Sequence, residues 1–136
     1  MDAQQAAVFD ATLPSLSAFK RAFGRDPSSD FLAELYVARE LDLKLAQRRN
    51  EPGSDAVGMD GRRYQVKCRG VDTQNVDTNS FDFDVIVLVN IDDAYGLAGM
   101  WRMDRAMAES AFTHRPDYGK WQIAQARFKS AAEKVR

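Results

Sequence analysis

The longest apolar run in the chain, residues 85–89, lies within the β-branched stretch 84–91 (Asp-Val-Ile-Val-Leu-Val-Asn-Ile), which predicts a strand buried on both faces. Just upstream, residues 62–69 alternate. Tyr64, Val66 and Cys68 fall on one face, and Arg63, Gln65, Lys67 and Arg69 on the other. Residues 54–59 precede them, and Asp60-Gly61 between the two runs is a hairpin signal. Asp92, Asp93 and Gly96 mark a turn, followed by a strand over residues 97–103; residues 121–124 read as a short further strand. The polar stretch 70–82 has no regular period. It reads as a mobile, acidic loop, with Asp72 and Asp77 repelling a phosphate backbone.

Helical spacing appears at both ends. Leu13-Pro14-Ser15 opens a short pattern through Phe19, Ala22 and Phe23 that Gly24 ends. The cluster Arg25-Asp26-Pro27-Ser28-Ser29-Asp30 suits a helix start, and a helix is predicted from about residue 29 to about residue 47, stopped by Asn50-Glu51-Pro52-Gly53. Asp104 caps a helix through Ser110, and a last helix is expected over about residues 125–135. The economical arrangement is a single α/β domain with a mixed central sheet flanked by helices. It divides into a helical extension (1–28), a core (about 29–124) and a C-terminal helix (about 125–136).

Composition narrows the chemistry. At 136 residues the chain supports one core. No apolar run approaches the roughly 20 residues of a membrane helix. No basic residue precedes Lys20, unlike a secretory signal, so a cytoplasmic protein without membrane association is expected. One cysteine, Cys68, rules out an internal disulfide, and one histidine, His114, rules out a multi-histidine metal site. The net charge of -1 does not announce a nucleic-acid binder. The glycines lack the spacing of a phosphate-binding loop.

The candidate chemistry gathers around the hairpin. Gln65 and Lys67, two apart on a strand, project into one shared space, and a partly buried lysine calls for an anionic partner. Asp55 starts the preceding strand. A two-residue turn places it opposite Val66, on the wrong face; a three-residue loop places it opposite Lys67. A shared site therefore needs an odd register or a glycine bulge at Gly61. On the long helix, Glu34 falls in the apolar arc of Val37, Ala38, Leu41 and Leu45, whereas Glu40 falls on the solvent side. A carboxylate on that stripe either ion-pairs with an arginine from a neighbouring element or belongs to a site.

Gly53-Ser54-Asp55-Ala56-Val57, followed by Asp60-Gly61-Arg62-Arg63-Tyr64-Gln65-Val66-Lys67, resembles the active-site hairpin of the PD-(D/E)XK nuclease superfamily. Glu34-Leu35-Tyr36-Val37-Ala38 resembles that superfamily's first-helix glutamate, and the element order its restriction-endonuclease-like αβββαβ core. The likeness spans roughly residues 29–110. Ser54 stands in place of the motif's proline. Gln65 stands in place of its second acid, as in the Gln-x-Lys variant of Mrr-like endonucleases.

The resemblance implies a metal-dependent endonuclease acting on DNA, with Mg²⁺ (or Mn²⁺) as cofactor. Asp55 would anchor the ion. Gln65 and the Val66 carbonyl would add neutral oxygens, and Glu34 would hold a metal-bound water. Lys67 would lie beside the attacking water and the scissile phosphate. So small a domain implies a homodimer or a protein partner for sequence recognition. The alternative is a catalytically inactive nuclease-fold module that binds nucleic acid or a protein. Cys68, Met100, Met103 and Met107 read as packing residues, Trp101 and Trp121 as core or interface aromatics, and His114 as a surface loop residue.

Overall fold

The computed structural model describes residues 1–46, 55–71 and 74–136. Helix α1 (Ala3–Phe23) is far longer than its second half suggests. Asp2 and Gln5 form a reciprocal capping box that starts it, Pro14 sits inside it, and Gly24 ends it in the left-handed region (φ 68°). None of its residues is buried.

Helix α2 (Ser29–Leu41) begins at Ser28, whose hydroxyl accepts from the Phe31 N–H. It stops earlier than its periodicity predicts. Asp42 turns left-handed (φ 54°), and the Leu43 N–H closes back on the Ala38 carbonyl. Leu45 therefore lies not on the helix but in a short edge strand, β1 (Lys44–Leu45). The turn expected at residues 50–53 lies outside the described residues.

Three strands then meander. β1 pairs antiparallel with β2 (Ala56–Val57), and β2 with β3 (Arg63–Arg69). Three residues, Met59 to Gly61, link Gly58 to Arg62, whose carbonyl accepts from the Gly58 N–H. Gly61, at φ 82°, adopts the left-handed conformation that such a loop requires. The expected featureless loop holds instead β4 (Val76–Thr78), with Val76 and Thr78 buried. β5 (Val85–Ile91) runs parallel to β3 and is buried along its whole length, and β6 (Leu97–Asp104) returns antiparallel to it.

Asp104 caps α3 (Arg105–Ala111), its carboxylate accepting from the Met107 N–H. β7 (Thr113–Arg115) and β8 (Lys120–Ile123) follow, and β8 pairs with both β4 and β7 in a small second sheet. His114 thus sits on a strand rather than a loop, exposed and against Trp121. α4 (Gln125–Ala131) is shorter than expected. The chain leaves it as β9 (Glu133–Lys134), which closes the other edge of the main sheet.

The main sheet is ordered β1-β2-β3-β5-β6-β9. Its two faces divide β5 by alternation. Val85, Val87 and Val89 meet Ala33 and Val37 of α2. Ile86 and Leu88 meet Ala108, Phe112 and Phe128 on the α3/α4 side. The class is α/β with a mixed sheet between helices. Among the described residues, the link from β3 to β5 carries β4 and no helix, a departure from a literal αβββαβ order. Among them, too, no helix is long and apolar enough to cross a membrane.

Candidate active site at the β2–β3 fork

β2 is two residues long, so the β3 edge is left without a β2 partner beyond Tyr64. Asp55 stands at that fork and is fixed from three directions. Its carbonyl accepts from the Ala46 N–H (2.9 Å), its N–H donates to the Tyr64 carbonyl (2.9 Å), and its Oδ2 accepts from the Val66 N–H (2.8 Å). The carboxylate thus continues the β3 ladder where the strand itself ends. In an extended strand the carbonyl of a residue points to the same edge as its N–H, so the Val66 carbonyl faces this edge as well.

A cleft of about 270 Å³ opens here. Its walls include all four side chains singled out in the sequence, Glu34, Asp55, Gln65 and Lys67, together with Val66. The register is neither of the two weighed above. β2 and β3 pair as Ala56↔Tyr64 and Val57↔Arg63, through a three-residue loop shifted to Met59–Gly61. Arg25, Ser28, Asp30 and Arg69 also line the cleft. Spacing gave no sign of Arg25, because it reaches the cleft from the turn between α1 and α2.

Arg25 is the arginine that meets Glu34: its Nη1 donates to Oε2 at 2.8 Å, and its guanidinium stacks 3.8 Å from the Phe31 ring centroid. Glu34 is thus ion-paired to an arginine from a neighbouring element, as one expectation had it, and also faces the cleft. Its side chain is 13% exposed. Burial raises its pKa and the neighbouring Asp55 carboxylate raises it further, against Arg25. Burial likewise raises Asp55, opposed by the Val66 N–H, Lys67 and Arg25.

The opposite wall is cationic. Burial lowers the pKa of Lys67, Arg69 and Lys120 add to that, and Asp77 and Asp55 oppose it. Among the described residues Lys67 forms no ion pair. Asp77 is already taken by Arg69 (2.7 Å) and Lys120 (3.3 Å). Burial alone would raise Asp77, but those two cations hold it below its ordinary value. Asp77 therefore sits on β4 with its charge met by two cations, and is not the repelling loop acid expected from sequence; Asp72 lies outside the described residues. Arg63, on the same strand, is engaged by Asp82 (2.9 Å) and Asp84 (3.9 Å).

The cleft lining offers the carboxylates of Asp30, Glu34 and Asp55, the Gln65 amide and the Val66 carbonyl, with the Cys68 thiol also among its walls. Asp55 raises the pKa of the partly desolvated Glu34, and Asp30 raises that of Asp55, so a hard cation would relieve both. Arg25 meets part of that demand, and among the described residues no three acidic, histidine or cysteine side chains converge. The set fits a weakly held cation. No protein-family model matches the chain, and no curated protein matches it.

Proposed function

We propose that the chain is a metal-dependent phosphodiesterase acting on DNA, with a PD-(D/E)XK-like site at the β2–β3 fork. The observation that carries this reading is the shared cleft in which Asp55, locked by three hydrogen bonds, meets Glu34, Gln65 and a desolvated Lys67 that has no ion-pair partner among the described residues. The topology supports it: α2, an antiparallel meander β1–β2–β3, and β5 parallel to β3.

Asp55, Gln65, the Val66 carbonyl and Glu34 would hold the ion. A bound Mg²⁺ or Mn²⁺ supplies Lewis-acid activation of water and neutralisation of phosphate charge. The protein groups do the rest. Lys67, with burial weakening its hold on its proton, either stabilises charge developing on the phosphoryl oxygens as an ammonium or, as a neutral amine, accepts the proton that the attacking water loses. Arg25 opposes the rise in the Glu34 pKa and orients its carboxylate. Asp55 is held rigidly, so its free oxygen meets substrate or ion with little reorganisation.

The test is cleavage of plasmid and single-stranded DNA with Mn²⁺ or Mg²⁺, comparing wild type with Lys67→Ala and using melting temperature as the fold control. Full activity in Lys67→Ala overturns the assignment. A second reading, an inactive module that binds nucleic acid or a protein, is favoured by one observation. Gln65 removes a charge from the ligand set while Arg25 occupies Glu34. Absence of both cleavage and metal binding in the wild type would select it.

A further inference from the structure

Arg25 reaches the cleft from the turn between α1 and α2, just past Gly24. Two separate contacts hold its guanidinium: the Glu34 carboxylate at 2.8 Å and the Phe31 ring at 3.8 Å. The ring is itself fixed, since Phe31 is buried and meets the Phe19 and Phe23 rings of α1 at 5.8 Å each. Stacking on Phe31 therefore keeps Arg25 at the cleft wall whether or not it holds Glu34. A second carboxylate is in reach. Asp30 lines the same cleft, four residues before Glu34 and so one turn away on the same face of α2. It is exposed and forms no ion pair among the described residues. Two carboxylates thus flank one arginine, and the arginine sits on the more buried of them.

We propose that Arg25 is a two-position latch on the cleft: it holds Glu34 until a divalent cation binds there, and passes to Asp30 when the cation takes Glu34. This rests on the cation site proposed above and supplies its regulation. A carboxylate mostly removed from water needs a counter-charge close by. Arg25 and a divalent cation can each supply it, but both on one carboxylate repel each other. The cation must therefore displace the arginine. Asp30 lowers the cost of that displacement, because side chains four apart on a helix are neighbours, with Cβ atoms about 5–6 Å apart. The Phe31 ring keeps the guanidinium within reach of both positions. Arg25 thus subtracts one ion pair from the cation affinity, and Asp30 returns part of it.

The test is calorimetric titration of the full chain with Mn²⁺, with the metal-free melting temperature as fold control. Arg25→Gln removes the competitor and should tighten Mn²⁺ binding by about fivefold or more. Arg25→Lys keeps the charge without the fork, should tighten it less, and carries the test should Arg25→Gln not fold. In a Glu34→Gln background, Arg25→Gln should change the affinity by less than about twofold, because the contested charge is gone. Asp30→Asn should weaken binding about threefold more in the wild type than in Arg25→Gln. Mn²⁺ binding that Arg25→Gln leaves unchanged, or tightens equally in the Glu34→Gln background, overturns the latch and leaves the cation site standing. Equal losses from Asp30→Asn in both backgrounds overturn the second position. Binding by Arg25→Gln with none by the wild type supports the latch. No binding by either overturns the cation site and the latch with it. The expected couplings without any DNA cleavage support the latch and overturn only the phosphodiesterase reading.

Discussion

Strands β3 and β5 are equal in length, run parallel and pair over six positions, yet they do opposite work. β5 is buried at every position and joins two cores, one against α2 and one against α3 and α4. β3 alternates Tyr64, Val66 and Cys68, packed on the α2 side, with Gln65, Lys67 and Arg69 around the cleft. The difference lies in the neighbours rather than in the strands. β5 has a full partner on each side, whereas β3 loses β2 after two residues. The unfilled edge is where a carboxylate can replace a backbone acceptor, and so where chemistry can be placed without opening the core.

This contrast is open to experiment. Leu88→Ala, at the centre of β5, should destabilise by about 2–5 kcal/mol and lower the melting temperature by roughly 10 °C, with activity per folded molecule retained. A large loss of activity without loss of stability would break the division of labour. Lys67→Ala on β3 should do the reverse. Cleavage should fall by about 10² or more, with melting temperature unchanged or raised, and Lys67→Ala combined with Asp55→Ala should be no worse than either alone. Gln65→Glu adds a charge to the ligand set and should tighten Mn²⁺ binding about tenfold by calorimetry; unchanged affinity would remove Gln65 from that set.

The smallest effect is on pH dependence. Glu34 and Asp55 both have raised pKa values, so the folded protein binds more protons than the unfolded chain just above their ordinary values of 4.5 and 3.8. Stability should therefore fall as pH rises through that window. Lys67, lowered from 10.5, acts oppositely, and its contribution increases as pH rises toward that value. Asp55→Asn keeps an acceptor for the Val66 N–H while removing the charge. It should raise the neutral-pH melting temperature by about 2–4 °C and flatten the acid-side slope, while abolishing any metal-induced stabilisation.

What sequence reveals here follows the range of the interactions. The buried β5 run, the Asp104 cap and the start of α2 near residue 29 depend on neighbours within a few residues, and they read correctly. Glu34 was legible because a carboxylate on an apolar arc is conspicuous. β4 was not: three residues, Val76 to Thr78, find their partner in β8 more than forty positions away. The end of α2 was hidden because Lys44 and Leu45 fit helical spacing as well as a short strand, and only Asp42 turning left-handed separates the two. Pro14 read as a helix start, yet it lies within α1, whose true start is fixed by the Asp2–Gln5 box. The hairpin parity favourable to Asp55 depended on the loop having three residues rather than two, which Asp60-Gly61 alone leaves open.

The outermost strands of the main sheet, β1 and β9, are two residues each and carry Lys44, Glu133 and Lys134. Arg102 clamps Glu133 from the adjacent strand at 2.9 Å. So short and charged a border offers almost no template for a further strand, and it guards the chain against sheet extension, domain exchange and fibril growth. The two outer borders of the main sheet are therefore poorly suited to recruit a further strand.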